Sequence, residues 1–208
     1  MKYVHSLPIM IKYGLDKILA VMGLLILSLP MCLIAGLVRL DGGPVFYSQW
    51  RIGQDGRSFR MLKFRSMVVG ADEILENLLE ACEQTQLAWD ENKKIMNDQR
   101  ITTIGYWLRR SSLDELPQLW NVLVGDMSLV GPRPILPNEI EDWGGYFQFY
   151  RQVKPGITGL WQVSGRSSLT YQERVEIDAS YVQNWTFWLD VKILMRTIVV
   201  VLLAKGAY

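Results

Sequence analysis

Two adjacent carboxylates, Asp114 and Glu115, stand in "SSLDELPQLWNVLVGDMSLVGPRP", residues 111–134 of a 208-residue chain. Arg109 and Arg110 precede them, and Arg133 follows in a Gly-Pro-Arg-Pro turn. Lys63, Lys154 and Arg166 stand near glycine- or proline-rich turns elsewhere. Arginine presents a fork that matches phosphate oxygens. A carboxylate attacks phosphorus or holds magnesium. Cations beside paired acids therefore point to phosphoryl-transfer chemistry. On a helix, neighbouring residues point about 100° apart. Asp114 and Glu115 would divide the labour, one attacking phosphorus and one holding the metal.

The same two acids also fit a plain structural role. Ser112-Leu113-Asp114-Glu115 matches the S-x-x-E capping box, with Ser112 as N-cap of a helix over about 113–124 and Gly125 as its left-handed C-cap. Pro117 would then fall past the first turn, where its missing donor is costly. An N-cap at Asp114 would put the proline inside the first turn. The pattern permits either placement.

Other chemistries find little support. The single histidine is His5 and the two cysteines, Cys32 and Cys82, are far apart. No zinc-ligand spacing, Ser-His-Asp set or disulfide framework follows from them. A formal net charge of +1 gives no sign of nucleic-acid binding.

The elements that must position the acids are legible in outline. Residues Ile18 to Val38 carry no charge and are about long enough to cross a bilayer core as a helix. Lys2, Lys12 and Lys17 lie before this run and Arg39 directly after it, so its two flanks are alike. Pro30 should bend the helix, with Ser28 returning a hydrogen bond to a freed carbonyl. Basic residues at both ends suit a re-entrant helix that enters and leaves by one face; a kinked span is the alternative. Val45–Gln49 and Ser58–Phe64 read as strands of a hairpin, with Gln54-Asp55-Gly56 in the turn. Arg51, Arg57, Arg60, Lys63 and Arg65 make it basic; either this is a solvated or headgroup-facing strand face, or Lys63 and Arg65 meet anionic lipid or substrate phosphate. An amphipathic helix is expected from Ala71 to about Trp89, a short one near Ile104–Arg110, and another over about Thr170–Asn184. The tail after Trp185 reads either as an interfacial helix, given its aromatics beside Lys192 and Arg196, or as a core helix.

These segments together resemble the bacterial sugar transferases, the monotopic phosphoglycosyl transferases. The resemblance rests on "RRSSLDELPQLWNVLVGDMSLVGPRP", "KFRSM", "KPGITGLWQVSGR" and "EIDASYVQNWTFWLD", in that family's order and over nearly the whole chain. "DGGPVFYSQWRIG" and the final "GAY" are similar to the undecaprenyl-phosphate galactose phosphotransferase branch. The resemblance implies transfer of a sugar 1-phosphate from a UDP-sugar to undecaprenyl phosphate, with release of UMP, at the start of surface-polysaccharide synthesis. It implies Asp114 as covalent nucleophile, Glu115 with Asp114 at Mg2+, and Lys63, Arg109, Arg133 and Arg166 as phosphate contacts. Asp178 is a further candidate acid. It also implies a re-entrant helix at the inner (cytoplasmic) membrane, with the active site on the cytoplasmic face. That family breaks its helix at an adjacent Ser-Pro, whereas Leu29 separates Ser28 from Pro30 here. Lys154 stands where arginine is common, which keeps the charge and loses the fork.

The expected fold is α/β, mostly helical with a small β-hairpin, a re-entrant N-terminal helix and interfacial amphipathic helices. Residues 1–40 are expected to anchor the chain, and residues 41–208 to form a catalytic domain lying on membrane lipid. Galactose is the expected sugar and glucose the alternative. The oligomeric state stays open. Two rivals share parts of the pattern. A non-catalytic scaffold of a polysaccharide assembly complex would not need Asp114, Glu115 and their arginines. A magnesium-dependent lipid phosphatase would release inorganic phosphate and need no sugar nucleotide.

Overall fold

The computed structural model describes residues 7–81, 86, 95, 98–165 and 169–202. It opens with two helices, α1 (Leu7–Ile26) and α2 (Ser28–Leu40), bent by 64° about Leu27. The bend has a local cause. Pro30 has no N–H for the carbonyl of Ile26, so one rung of the ladder is missing. Leu27 departs from helical geometry at φ −91°, ψ 3°, and the Ser28 hydroxyl donates to the Leu25 carbonyl at 2.8 Å. Regular bonding resumes from the Met31 amide to the Leu27 carbonyl. The intervening Leu29 therefore does not cost Ser28 its hydrogen bond. Among the described residues no single helix is long and apolar enough to cross a bilayer; the bent pair together has that length and composition.

The outer surface of this pair is apolar at its corner. Leu25, Ile26, Leu29 and Leu33 are all more than 60 % exposed, and a contiguous apolar patch of this kind marks an interaction surface. The opposite face of α1 is buried within the rest of the molecule. Ile9, Lys12, Asp16 and Ala20, spaced three or four apart, lie inward. Lys12 is not a flanking charge at all. Its ammonium bonds to Asp190 at 2.8 Å, Ser128 Oγ at 2.7 Å and the Val130 carbonyl at 3.0 Å. Asp16 joins through Ser128 Oγ at 2.6 Å. Such a network holds its members firmly because losing one partner strands a buried charge.

Strands β1 (Phe46–Ile52) and β2 (Ser58–Phe64) form the antiparallel hairpin, in register from Phe46 opposite Phe64 to Ile52 opposite Ser58. The first strand runs three residues beyond the expected Gln49. Asp55 and Gly56, both at positive φ, make the turn. Side chains alternate across a strand, so Phe59, Met61 and Lys63 share one face. Phe59 and Met61 pack there with Ala20, Val122 and Met127. Phe64, on the other face, stacks on Phe46 and packs with Ile34, Val38 and Leu108.

Helix α3 (Ala71–Ala81) begins with Asp72 and Glu73, as its dipole favours; of the expected continuation to Trp89 only Gln86, which is helical, lies among the described residues. Thr102 caps α4 (Thr103–Arg110) by accepting from the Gly105 amide at 3.0 Å. A second sheet, which the sequence does not announce, pairs β3 (Ser128–Val130) in parallel with β4 (Gly156–Thr158). Its strands approach so closely that a Cβ on Gly156 would lie 2.1 Å from the Gly131 nitrogen.

Helix α5 (Gln118–Val124) precedes β3, and the short helices α6 (Ile140–Trp143) and α7 (Phe147–Tyr150) follow it. Beyond β4 come α8 (Leu160–Ser164) and α9 (Tyr171–Gln183), the latter started by a capping box of Thr170 and Glu173. The last described helix, α10 (Phe187–Leu202), packs one side into the domain, as the core-helix reading expects, and leaves the other side open. Asp190 and Ile193 are buried, while Trp188, Met195, Ile198 and Val199 form an exposed apolar face. The whole is mostly helical with a small antiparallel sheet, as the expected α/β class requires.

Candidate active site

The site is built where the hairpin meets the turn between α4 and α5. Helix α4 ends at Arg110, and Ser112 then takes a left-handed conformation, φ 57° and ψ 18°. This reversal throws Leu113–Glu115 into one 3-10 turn, after which α5 starts behind Pro117. Neither expected cap placement is formed. Ser112 makes no side-chain cap, and α5 begins only at Gln118, with Pro117 at its N-cap. There the proline's missing donor removes no helical bond. Gly125 does end α5 at φ 98°.

Freed from capping, Glu115 turns to Lys63: Nζ lies 2.7 Å from Glu115 Oε1 and 3.6 Å from Asp114 Oδ2. One ammonium thus faces both acids. Asp114 is only 7 % exposed. Burial pushes its pKa up, with help from Glu115, while Lys63 and Arg109 hold it down. Arg109 therefore belongs to the electrostatic surroundings of Asp114.

Asn121, a polar residue inside the apolar run of α5, fixes the geometry. Its Oδ1 accepts from the Leu62 amide at 3.0 Å and its Nδ2 donates to the Arg60 carbonyl at 2.8 Å. This clamp ties α5 to β2 beside Lys63. The sequence reading passes over Asn121; a fully buried amide on an apolar helix is the signal that marks it.

From Lys63 and Glu115 a narrow cleft runs to Arg133, lined also by Arg51, Met61, Gln118 and Gln162. Arg133 is exposed, with its guanidinium over the Trp161 ring at 5.8 Å. Asp178 stands behind this loop and not in the cleft lining. Its Oδ2 accepts from the Arg133 amide at 2.9 Å, while Oδ1 finds no donor in bonding geometry. Burial lifts its pKa to about 8, against the Arg133 amide and charge and the nearby Trp161 indole.

Arg166 lies outside the described residues. Ser28 and Pro30 belong to the helix bend. Lys154 turns away toward α1, its ammonium over the Tyr13 ring at 4.5 Å. Arg51, Gln118 and Gln162 join the lining without having been singled out as site residues. Arg51 was recognisable in principle, since alternation puts it on the hairpin face of Lys63.

Among the described residues, no three of His, Cys, Asp or Glu gather as a metal cluster. The neighbouring carboxylates Asp114 and Glu115 are nonetheless a donor set that suits Mg2+, which uses one or two protein carboxylates and completes its shell with phosphate and water.

A helical domain here draws Glu115, Lys63, Arg51 and Arg133 around one cleft, with Asp114 behind Glu115 and outside the lining; these residue types suit phosphate. The chain belongs to the bacterial sugar transferase family, whose model matches residues 7–204. It is 50 % identical over 188 residues to a UDP-galactose-lipid carrier transferase of Erwinia amylovora, covering 90 % of this chain and 39 % of that one. It is 47 % identical to an undecaprenyl-phosphate galactose phosphotransferase of Salmonella typhimurium, covering 95 % and 42 %. An exopolysaccharide production protein, ExoY, of Rhizobium meliloti is 44 % identical, with 96 % and 88 % covered. The matches thus reach about two fifths of the first two relatives' length.

Proposed function

We propose that this chain transfers a sugar 1-phosphate, galactose 1-phosphate, from a UDP-sugar to undecaprenyl phosphate and so begins a surface polysaccharide. The observation that carries this reading is the single ammonium of Lys63 facing both Asp114 and Glu115 at the mouth of an arginine-lined cleft. The names of the relatives supply the sugar and the acceptor.

In the proposed reaction an Asp114 oxygen attacks the β-phosphorus of the UDP-sugar. An O–P bond forms to the carboxylate, the bond to the bridging oxygen breaks, and UMP leaves with that electron pair. An oxygen of undecaprenyl phosphate then attacks the same phosphorus. The Asp114–phosphorus bond breaks, and the carboxylate is restored. Splitting the transfer in this way lets one site serve both substrates in turn. Attack requires ionised Asp114, and Lys63 and Arg109 oppose the burial that would keep it protonated. Lys63, Arg109, Arg133 and Arg166 would neutralise phosphate oxygens. Asp114 and Glu115 would hold Mg2+, which supplies charge stabilisation at the diphosphate.

The bent pair α1–α2 serves in this reading as a re-entrant anchor at the inner membrane, with the exposed face of α10 lying on lipid. The acceptor's phosphate sits at the membrane surface and the UDP-sugar arrives from the cytoplasm, so a half-inserted anchor sets the cleft at their common plane. Residues 1–40 then anchor, although the inner face of α1 also packs into the catalytic part.

The test supplies purified protein with Mg2+, undecaprenyl phosphate and a panel of UDP-sugars. UMP release with UDP-galactose, abolished in Asp114→Asn, is expected. A preference for UDP-glucose would correct the sugar alone. Inorganic phosphate as product would favour a phosphatase, and no turnover of any sugar nucleotide would favour a scaffold.

A further inference from the structure

Arg51 is the cation of the cleft that the proposed reaction leaves without a task. It lies on β1, opposite Phe59, whereas Lys63 lies opposite Tyr47. Four residues separate these positions, about 13 Å along the strand. The two cations therefore stand at opposite ends of one hairpin face, with Met61 between them. Asp114 and Glu115 occupy the Lys63 end; Arg133 joins Arg51 at the other.

The pairing of Arg51 with Arg133 is electrostatically incomplete. Arg51 is 9 % exposed, and its Nε meets no acceptor. One terminal nitrogen donates to the Pro134 carbonyl at 3.2 Å and the other to Gln49 Oε1 at 2.7 Å. The nearest carboxylate, Glu139, lies 3.8 Å away and already accepts from the Leu136 amide. Burial and the neighbouring Arg133 charge both disfavour the Arg51 cation. Two like charges at the end of a cleft, with Glu139 beside only one of them, suit an anion.

In-line displacement says which anion belongs there. The attacking and leaving oxygens stand on opposite sides of phosphorus. If Asp114 attacks from one side, UMP departs from the other. When the lipid phosphate later displaces Asp114, it must approach from the side that UMP vacated. The structure assigns Arg51, together with Arg133, to a single phosphate site at the cleft end away from Asp114, used first by the nucleotide's remaining phosphate and then by the lipid phosphate. This rests on the transferase reading above.

The test measures, on the full chain in lipid nanodiscs, the Ki of UMP and the KM of undecaprenyl phosphate in wild type, Arg51→Met, Arg51→Lys, Arg133→Met and the double methionine variant. Both constants should rise together by roughly 30-fold or more in Arg51→Met, as removal of one buried charged partner does, with part recovered in Arg51→Lys. A rise in only one constant, or in neither, overturns the shared site. Arg51 also holds the Pro134 carbonyl, so a merely structural role must be separated. If Arg51 only positioned Arg133, its loss would do no further harm once Arg133 is methionine, and that result would also overturn the assignment. Wild-type protein that turns over no sugar nucleotide would instead defeat the transferase reading itself.

Discussion

Lys12 and Asp190 form a buried ion pair of 2.8 Å that joins the first described helix to the last. Asp190 also accepts from Tyr181 at 2.7 Å and from the Trp185 indole at 3.0 Å, so it is fully engaged. The inner face of α1 is thus part of the domain's core, and the helix that carries the apolar corner is rigidly set against β3 and α10.

Breaking that pair on one side should be severe. Lys12→Met leaves Asp190 and Asp16 buried together without their cation, at a cost of about 3–5 kcal/mol. Asp190→Asn should cost less, because the amide oxygen can still accept. Thermal unfolding in one detergent would order the variants, and a Lys12→Met protein as stable as wild type would show that the network carries no net weight.

Ser112 should behave as a position made for glycine. A side chain at φ 57° carries a steric penalty of about 1–2 kcal/mol, and the Ser112 hydroxyl caps nothing. Ser112→Gly is therefore expected to hold or raise the unfolding midpoint. Ser112→Val should lower it and also displace Asp114, visible as a fall in the rate of UMP release.

These two relationships show where the sequence was readable. Periodicity located the hairpin, α9 and the long tail because each repeats its pattern over many residues. The helix bend was legible because proline removes a known donor; the Ser28 bond goes to the Leu25 carbonyl and not to the Ile26 carbonyl that Pro30 deprives. The 3-10 turn at Asp114 was not, since S-x-x-E satisfies a capping pattern equally well, and only the tertiary pull of Lys63 on Glu115 decides against it. The sheet of β3 and β4 escaped notice because strands of three residues carry no period. Lys12 read as a flanking charge for lack of its partner, 178 positions away at Asp190. Sequence patterns report local order; the cleft is assembled by distant contacts.

In the proposed reaction Lys63 sets the acid limb of the pH profile. It opposes the burial that raises the Asp114 pKa. Lys63→Met removes that opposition, so Asp114 stays protonated to higher pH. The acid limb of UMP release should move upward in pH, beyond any fall in the maximal rate. An unmoved limb with a lower plateau would mean that Lys63 acts on substrate alone.

Asp178 gives the opposite dependence, in stability. Its pKa rises from 3.8 to about 8 on folding, so the folded protein binds a proton that the unfolded chain releases. The resulting contribution is fully present below pH about 4 and is lost as pH climbs through about 8. Asp178→Asn keeps an oxygen for the Arg133 amide and cannot ionise. The variant's unfolding midpoint should therefore lose the decline that wild type shows between these limits. Identical slopes in the two proteins would mean that Asp178 keeps its charge when folded, with its free oxygen satisfied by a donor that approaches behind the Arg133 loop.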